Sequence, residues 1–448
     1  MTPLKNFFAL TPLCALLAAG SAHATNGMMM EGYGPISTGM GGASQAVEHG
    51  NAAMAQNPAT LGMMNDGSSR LDVAFGILGP DVKSSAMGMD AKSGGTSYVM
   101  PAFGYVKRDG AYTYGIGMFA QGGMGTEYEA ATFMSAPAGV SSGMQSRSEL
   151  GVGNVIFPLV YRVSPNLNVG ATFKYMWTSL DLKMTASGAQ LAGMAQASGV
   201  SPTGALATML PGLAGAPWAN ISFSDDSKFT GAAKTTGYGA SFGATLKVDN
   251  DIIVGGSYQL KSSLKDMKTA SNDASMTAIG GFSNNGQITV IDFQMPSVLA
   301  IGASWQVNPS LLLAADLKSI GWAESMKSFK MRYDSATPGM GSVNFTMDQN
   351  WKDQTVLNLG MAWRANDQLT LRAGLNLADN PVPDMYVSTL FPATVRNHFT
   401  LGLGYKVSDT GDVNIALTSA PPVTVNSGAG PSISHSQTNW QFMYSHRF

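Results

Sequence analysis

The sequence predicts an all-β fold, a transmembrane antiparallel β-barrel of about 14 strands with an N-terminal segment in its lumen. Charged residues make up 12% of the chain, about half the share usual in soluble proteins. Beyond the first two dozen residues, no apolar run reaches the length of about 18 residues that a helical membrane span requires. Short stretches of alternating apolar and polar residues recur instead. A closed barrel built from such stretches satisfies all backbone polar groups in lipid.

The first 24 residues have the features of a secretory signal peptide. Lys5 gives a positive start, residues 7–20 are almost wholly apolar, and residues 22–24 (Ala-His-Ala) offer small residues for cleavage. We therefore expect export and a mature chain that starts at Thr25. The single cysteine, Cys14, lies in the removed segment, so the mature chain cannot form a disulfide.

Residues 167–177 show the alternation clearly. The odd-numbered positions are apolar, while the even-numbered positions include Asn168 and Lys174. Successive side chains of a strand point to opposite faces, so one face suits lipid and the other suits a polar lumen. Residues 368–377 and 399–405 repeat the pattern.

Six tight turns separate these stretches, and their Asp, Asn, Pro and Gly residues favour hairpins for steric reasons. The turns are residues 107–110, 162–166, 247–251, 306–310, 364–367 and 406–411. Taken as periplasmic turns, they join twelve strands. One strand before them and one after bring the count to about 14, an even number as in bacterial single-chain barrels. The expected strands are 70–79, 97–106, 112–121, 150–162, 167–182, 236–248, 252–263, 287–306, 311–322, 353–364, 368–377, 395–406, 412–420 and 438–448.

The last expected strand ends on an aromatic residue. Its residues Trp440, Phe442, Tyr444, His446 and Phe448 alternate with polar or smaller ones. This pattern resembles the C-terminal strand that the outer-membrane barrel assembly machinery reads. We therefore expect that machinery to be a partner during biogenesis.

Residues 25–69 show no strand alternation, and they are rich in glycine, alanine and methionine. The segment either hangs in the periplasm or folds into the lumen. A barrel of about 14 strands is wide enough to leak unless something fills it. We therefore expect a hatch, and the predicted organisation is a signal peptide (1–24), a hatch or plug (25–69) and a transmembrane barrel (70–448).

Four short motifs resemble the FadL-type outer-membrane transporters of hydrophobic compounds. Three of them lie in the expected hatch and one follows the third expected strand: residues 39–44 (GMGGAS), 51–52 (NA), 56–59 (QNPA) and 121–128 (QGGMGTEY). The resemblance also covers the layout of signal, hatch, about fourteen strands and terminal phenylalanine. It implies that Asn57, Pro58 and Ala59 close the hatch.

The same resemblance implies a function. It implies a monomer in the outer membrane of a Gram-negative bacterium that takes up hydrophobic molecules, most of all long-chain fatty acids, by passive, ligand-gated diffusion. Outer loops capture the ligand, a lumenal pocket holds it, and an opening in the wall near a kinked third strand releases it. No cofactor and no coupled energy source are expected.

Two glycines and three cations are candidate functional residues. Gly115 and Gly117 weaken the third expected strand, so they either form the kink or relieve crowding against the hatch. A fatty acid also needs a cation or hydrogen-bond donor near its carboxylate. By parity the lumen-facing cations are Lys174, Lys318 and Arg372, which either bind that carboxylate or belong to polar ladders inside the barrel.

The longest expected loop, from about residue 185 to 235, is apolar over residues 189–216 and is expected to include a short helix before Pro202 or Pro211. It either captures a greasy ligand or packs on its neighbours. The 29 methionines suit an adaptable apolar route. Copper capture is the alternative, but no spacing supports a metal site.

Composition argues against other classes of function. Removal of Lys5 leaves 25 basic and 28 acidic residues, a net charge of about −3, so a nucleic-acid partner is not expected. His49, His398, His435 and His446 lie in no nucleophile elbow or metal-ligand spacing, so the chain is not expected to be an enzyme. An aromatic-hydrocarbon or alkane channel of the same family remains open, as do a general diffusion porin and an adhesin.

Overall fold

A single sheet forms most of the molecule in the computed structural model, which describes residues 26–227, 229–428 and 430–448. The predicted signal peptide, residues 1–24, lies outside the described residues. The described part of the chain contributes 22 strands to this sheet. They are β1 (Ser69–Ala86), β2 (Met89–Lys92), β3 (Tyr98–Asp109), β4 (Tyr112–Tyr128), β5 (Ser146–Arg162), β6 (Leu167–Ala186), β7 (Ala219–Phe223), β8 (Ala233–Lys247), β9 (Ile252–Gln259), β10 (Ser263–Leu264), β11 (Met267–Lys268), β12 (Ala274–Ala278), β13 (Phe282–Ile291), β14 (Val298–Asn308), β15 (Leu311–Ile320), β16 (Ser328–Ser335), β17 (Ser342–Asp348), β18 (Gln354–Arg364), β19 (Leu369–Ala378), β20 (His398–Lys406), β21 (Gly411–Asn426) and β22 (Ser432–Arg447).

Antiparallel pairing closes the sheet into a barrel. It runs through β1, β3, β4, β5, β6, β8, β9, β14, β15, β18, β19, β20, β21 and β22, and β22 pairs back to β1. At this closure Phe75 lies opposite Phe442, with ring centroids 5.4 Å apart. Every strand of this ring pairs with two neighbours, so the part of the chain that the structure describes leaves no open edge strand, as a protein surrounded by lipid requires.

The predicted total of about 14 strands is wrong, because eight strands beyond those named in the closed ring bring the sheet to 22 strands in the described ranges. The intervals between the expected strands contain β2, β7, β11, β12, β16 and β17, and parts of β10 and β13. These strands pair with one another or with the ends of longer strands. β10 and β11 have two residues each, too few for alternation to show in the sequence. The expected strand 287–306 is also divided, since β13 ends at Ile291 and β14 begins at Val298.

The two faces of β6 confirm the alternation that the sequence shows there. Phe173, Tyr175 and Trp177 are exposed on the outer face, whereas Lys174 and Met176 are buried on the inner face. The outer aromatic side chains also contact those of neighbouring strands. Rings that are apolar over most of their surface suit a lipid-facing wall.

Residues 26–68, the N-terminal segment, fold into short helices that lie inside the barrel. They are α1 (Gly34–Thr38) and two 3-10 helices, Gly50–Ala55 and Pro58–Met63. Pro35 and Pro58 begin two of these helices, where proline is tolerated because the first turn lacks backbone acceptors. Most of the segment is buried.

Glycines on the inner face of the barrel let the N-terminal segment approach the wall. At nine strand glycines, a Cβ would have an atom of that segment as its nearest neighbour. They are Gly104, Gly117, Gly122, Gly170, Gly243, Gly255, Gly360, Gly374 and Gly402. Several of these Cβ atoms would overlap the segment's backbone, so these positions accept only glycine without a rearrangement.

Outside the barrel ring, two helices lie in the longest predicted loop. They are α2 (Gly188–Ala197), which ends before Pro202 as the sequence predicts, and α3 (Gly204–Leu213), which contains Pro211. Ser187 and Gln190 cap α2 reciprocally. A third helix, α4 (Trp322–Ser325), follows β15. None of the helices in the described ranges combines the length and apolarity of a helical membrane span.

We expect Gly374→Ala to destabilise the barrel by about 1–3 kcal/mol, since its Cβ would overlap Met40 and Gly41. Gly76→Ala is the control, because a Cβ at that β1 position meets atoms no nearer than 3.4 Å. Urea unfolding, followed by the heat-modifiable electrophoretic mobility of folded barrels, measures both. Equal stability of the two variants would contradict the seating of the segment on this glycine.

Candidate ligand-transport site

Asn57 joins the N-terminal segment to the barrel wall. Its Oδ1 accepts a hydrogen bond from the Ala59 amide at 3.1 Å, which caps the following 3-10 helix. Its Nδ2 donates to the carbonyls of Gln45 at 2.7 Å and of Ala244 on β8 at 3.2 Å. Pro58 and Ala59 are buried behind it. The Asn-Pro-Ala triplet therefore lies against β8 and holds two parts of the segment together.

Charged side chains of β15 bind the backbone of the same segment. The Asp316 carboxylate accepts hydrogen bonds from the amides of Ser44 at 2.7 Å and Gln45 at 3.1 Å. The Lys318 ammonium donates to the Gly42 carbonyl at 3.3 Å. These buried backbone groups need partners, and the wall supplies them.

A second anchor lies where the barrel closes. The Arg70 guanidinium on β1 binds Asp72 at 2.8 Å and Glu48 of the N-terminal segment at 3.2 Å. Asp72 also accepts the Asn51 amide at 2.8 Å. The segment is therefore attached to β1, β8 and β15, which lie on different sides of the barrel.

Burial shifts the pKa of two titratable groups of the N-terminal segment. It raises the pKa of the Tyr33 phenol, which donates to the Gln121 carbonyl on β4 at 2.8 Å. It lowers the pKa of His49, whose Nδ1 donates to the Val47 carbonyl at 2.8 Å. Both groups are therefore neutral hydrogen-bond partners at neutral pH.

The outer cavity has a volume of about 870 Å³. It is lined by residues of β6, β17 and α2, and by Met28 at the start of the N-terminal segment. Its walls are rich in methionine and aromatic side chains. The methionines are Met28, Met87, Met124, Met134, Met184, Met194, Met326, Met347 and Met385. Unbranched thioethers adapt to ligands of different shape. The apolar loop at 189–216 thus contributes to a cavity wall through Met194 and Ala197.

The lateral cavity, of about 370 Å³, lies at a gap in the wall. Pairing of β3 with β4 ends at Phe103 and Met118, whereas β4 continues to Tyr128 beside β5. Met100 and Pro101 of β3 and Ala120 to Met124 of β4 face this cavity, apart from Gln121. The gap leaves backbone groups of β4 without partners on β3.

The N-terminal segment takes the place of β3 along part of this gap. Met29 forms a bridge with Gly122, and the Gly123 amide donates to the Met28 carbonyl at 3.1 Å. The pairing of β4 with β5 shifts by one residue around Gln121, which forms a bulge. Glycine at position 122 leaves room for the Met28 carbonyl.

The two cavities adjoin at the N-terminal segment. Met124 and Leu150 line both of them, while Gly27 lines the lateral cavity and Met28 lines the outer cavity. Residues 27–29 therefore separate the two spaces.

The predicted kink residues lie next to the gap. Gly115 and Gly117 still pair with Val106 and Gly104 of β3, and pairing ends one residue after Gly117. Gly117 also leaves room for the Met54 sulfur of the N-terminal segment. The alternative interpretation of Gly117, that it relieves crowding between the wall and the N-terminal segment, therefore agrees with this contact.

The three predicted cations face inward but lie apart from both cavities. Lys174 donates to Gln259 at 2.6 Å, Arg372 donates to Asn414 at 3.0 Å, and Lys318 binds the N-terminal segment. Within the described residues, which exclude Lys228, neither cavity is lined by lysine or arginine. Their acidic lining residues are Glu149 and Asp348.

The sequence did not single out the polar residues of the lateral cavity, which include His435 and Gln437 on β22. The expected last strand began at residue 438, whereas β22 begins at Ser432. Parity along the longer strand would have placed both side chains inward. The described residues contain no cluster of three or more histidine, cysteine or acidic side chains arranged to hold a metal ion.

We expect Asp316→Asn to lower the free energy of unfolding by about 2 kcal/mol, because hydrogen bonds to a charged acceptor become weaker. It should also speed protease cleavage within residues 26–68. Asp409→Asn is the control, since it breaks an exposed ion pair with Lys406, and such pairs contribute about 0–1 kcal/mol. Urea unfolding and limited proteolysis measure both effects. Unchanged cleavage in Asp316→Asn would mean that this carboxylate does not hold the segment.

Solved structures of channels resemble the whole fold. The toluene transporter TodX of Pseudomonas putida is 31% identical, with 93% of this chain and 99% of that chain covered at a TM-score of 0.83. The toluene transporter TbuX of Ralstonia pickettii is 30% identical, with the same coverage and a TM-score of 0.80.

Curated relatives match over shorter ranges. The long-chain fatty acid transport protein of Escherichia coli K12 is 22% identical over 201 residues, which are 44% of this chain and 41% of that protein. An uncharacterized protein of Chlorobium limicola is 46% identical over 86 residues, or 41% of its length. The matches thus span about two fifths of these relatives.

The model of the family described as outer membrane protein transport protein (OMPP1/FadL/TodX) matches residues 15–442. This range includes the N-terminal segment, both cavities and almost all of the sheet. The family consists of transport channels for hydrophobic compounds. The chain belongs to the OMPP1/FadL/TodX family of outer membrane transport proteins.

Proposed function

We propose that this chain is a channel for passive uptake of small neutral hydrophobic compounds, of the monoaromatic hydrocarbon class. The observation that supports this most is the pair of adjoining apolar cavities with no lysine or arginine in their described lining. A carboxylate buried there would lose hydration without gaining a cation, whereas an aromatic hydrocarbon needs only apolar contacts. The similarity to two toluene transporters agrees with this substrate class.

The proposed route begins in the outer cavity, where methionine and aromatic side chains capture the ligand. Displacement of residues 27–29 then opens the way into the lateral cavity, and the ligand leaves through the gap between β3 and β4. The N-terminal segment acts as the hatch, with Asn57, Pro58 and Ala59 fixing it to the wall. Gly115 and Gly117 border the gap and supply the proposed kink in the wall. No cofactor or coupled energy source takes part.

The proposed setting is the outer membrane of a Gram-negative bacterium. The expected signal peptide directs export, and the barrel assembly machinery inserts the chain. Exposed aromatic residues such as Phe173 and Tyr238 contact the membrane lipid. We propose that the barrel works as a monomer, since each barrel holds its own cavities and hatch.

Long-chain fatty acids are the second candidate substrate. The two cavities adjoin, so together they offer an extended apolar space for an acyl chain. The fatty acid transporter of E. coli is a relative over part of its length. In this alternative, Lys174, Lys318 or Arg372 must give up its protein partner to reach the ligand carboxylate.

We expect saturable uptake of toluene, and weaker uptake of oleate, by porin-deficient cells that carry the full chain. Replacing Asn57, Pro58 and Ala59 with Gly-Ser-Gly should change the toluene rate at least fivefold, because the hatch loses its cap and its bond to β8. Cells with an empty vector give the background. Uptake of oleate alone would move the assignment to fatty acids. Unsaturable passage of sugars in both forms would indicate a porin.

Leu150→Trp should lower toluene uptake about tenfold or more, because the larger side chain fills the junction of the two cavities. Leu317→Trp is the matched control, since Leu317 is 48% exposed on the outer face of β15. Both variants are measured in the same cells at equal amounts of folded barrel. Normal uptake in Leu150→Trp would rule out the proposed route between the cavities.

A further inference from the structure

A histidine that lines the lateral cavity has a ring nitrogen with no hydrogen-bond partner in the described part of the chain. His435 lies on β22, is 7% exposed and lines this cavity. Its Nδ1 lies 2.8 Å from the Pro392 carbonyl, which can only accept, so Nδ1 carries the hydrogen. In the neutral ring, Nε2 is then an acceptor with a free lone pair. Nε2 is buried, and none of the described residues forms a hydrogen bond with it.

Two other side chains of this lining, Gln437 and Glu149, also offer acceptors, while the hydroxyls of Tyr98 and Ser179 can donate or accept. The Gln437 amide donates to Asn439 Oδ1 at 2.9 Å, which leaves the Gln437 carbonyl oxygen for another donor. The Gly79 amide also donates to Asn439 Oδ1, so this atom of Asn439 is the amide oxygen and the Gln437 group that faces it is the NH2. Glu149 contributes a carboxylate, which Arg147 binds at 2.7 Å. The lining thus offers three side-chain acceptors to a ligand that donates a hydrogen bond.

We propose that the lateral cavity binds phenols and related aryl alcohols, with the ligand hydroxyl donating to His435 Nε2. This inference rests on the proposed function and extends its substrate class from aromatic hydrocarbons to their hydroxylated relatives. The aromatic ring would lie against apolar lining residues such as Phe119 and Val152. The hydroxyl would satisfy a buried acceptor that a hydrocarbon leaves unpaired. Carboxylates only accept hydrogen bonds, and Glu149 would repel them.

The position of Nε2 sets a condition on binding. Neighbouring atoms cover it, so a ligand reaches it only when the lining shifts. Pro392 and Ala393 form part of that lining, and residue 392 also bonds to the other nitrogen of the ring. Because the Pro392 carbonyl fixes the tautomer through Nδ1, the shift has to come from lining residues other than Pro392.

The test compares uptake of 4-ethylphenol and 4-ethyltoluene, which differ by a hydroxyl and a methyl group. Porin-deficient cells carry the full chain with native sequence, His435→Leu, His435→Gln or His398→Leu. His398 is the matched control, because its Nε2 is also buried without a partner but it lies outside the cavity lining. Heat-modifiable mobility confirms equal amounts of folded barrel.

We expect His435→Leu to lower the ratio of phenol to hydrocarbon uptake about fivefold to tenfold. His435→Gln, which keeps an acceptor, should restore part of that ratio, and His398→Leu should leave it unchanged. An unchanged ratio in His435→Leu, or an equal loss for both ligands, would overturn the inference while native hydrocarbon uptake still supports the channel. Absence of native uptake of both ligands would overturn the proposed function and this inference with it.

Discussion

The close fit between the N-terminal segment and the inner wall is the constraint on which the rest of the structure depends. A wide barrel encloses more space than its own side chains fill, and the N-terminal segment occupies that space. The segment comes close to the strand backbone, which is possible only where the inner-face residue has no side chain. Nine inner-face glycines provide that space. The segment's buried backbone groups then need partners, which Asp316 and Asn57 help to supply. Steric fit and hydrogen bonding thus fix the segment at several strands at once.

The gap in the wall follows from the same fit. Where β3 leaves β4, Met28 and Met29 bind the backbone of Gly122 and Gly123. The residues that replace the missing strand also separate the outer cavity from the lateral cavity. In the route that we propose, one displacement would join the cavities and free part of the strand edge. That proposal involves no separate gate and no energy source.

Local patterns predicted the long strands, because alternation and turn residues act over a few positions. The predicted number of strands was too low because short strands such as Ser263–Leu264 form only through long-range pairing. Parity correctly placed Lys318 inward, but the sequence could not show that it meets the Gly42 carbonyl. Likewise, Gly117 faces Met54 through a contact 63 positions apart in the chain. The sequence therefore could not predict those parts of the candidate site that depend on contacts with the N-terminal segment.

The same docking determines the chemistry left for a ligand. Lys318 is bound by the segment, and Lys174 and Arg372 by side chains that lie two strands away in the barrel, so inward cations do not imply a cationic cavity. The described cavity walls keep methionine and aromatic groups, together with a few acceptors such as His435. Methionines tolerate differences in ligand shape, whereas a buried acceptor discriminates by hydrogen bonding. Under the function and the phenol site that we propose, selection depends on neutrality first and on hydrogen-bond donation second.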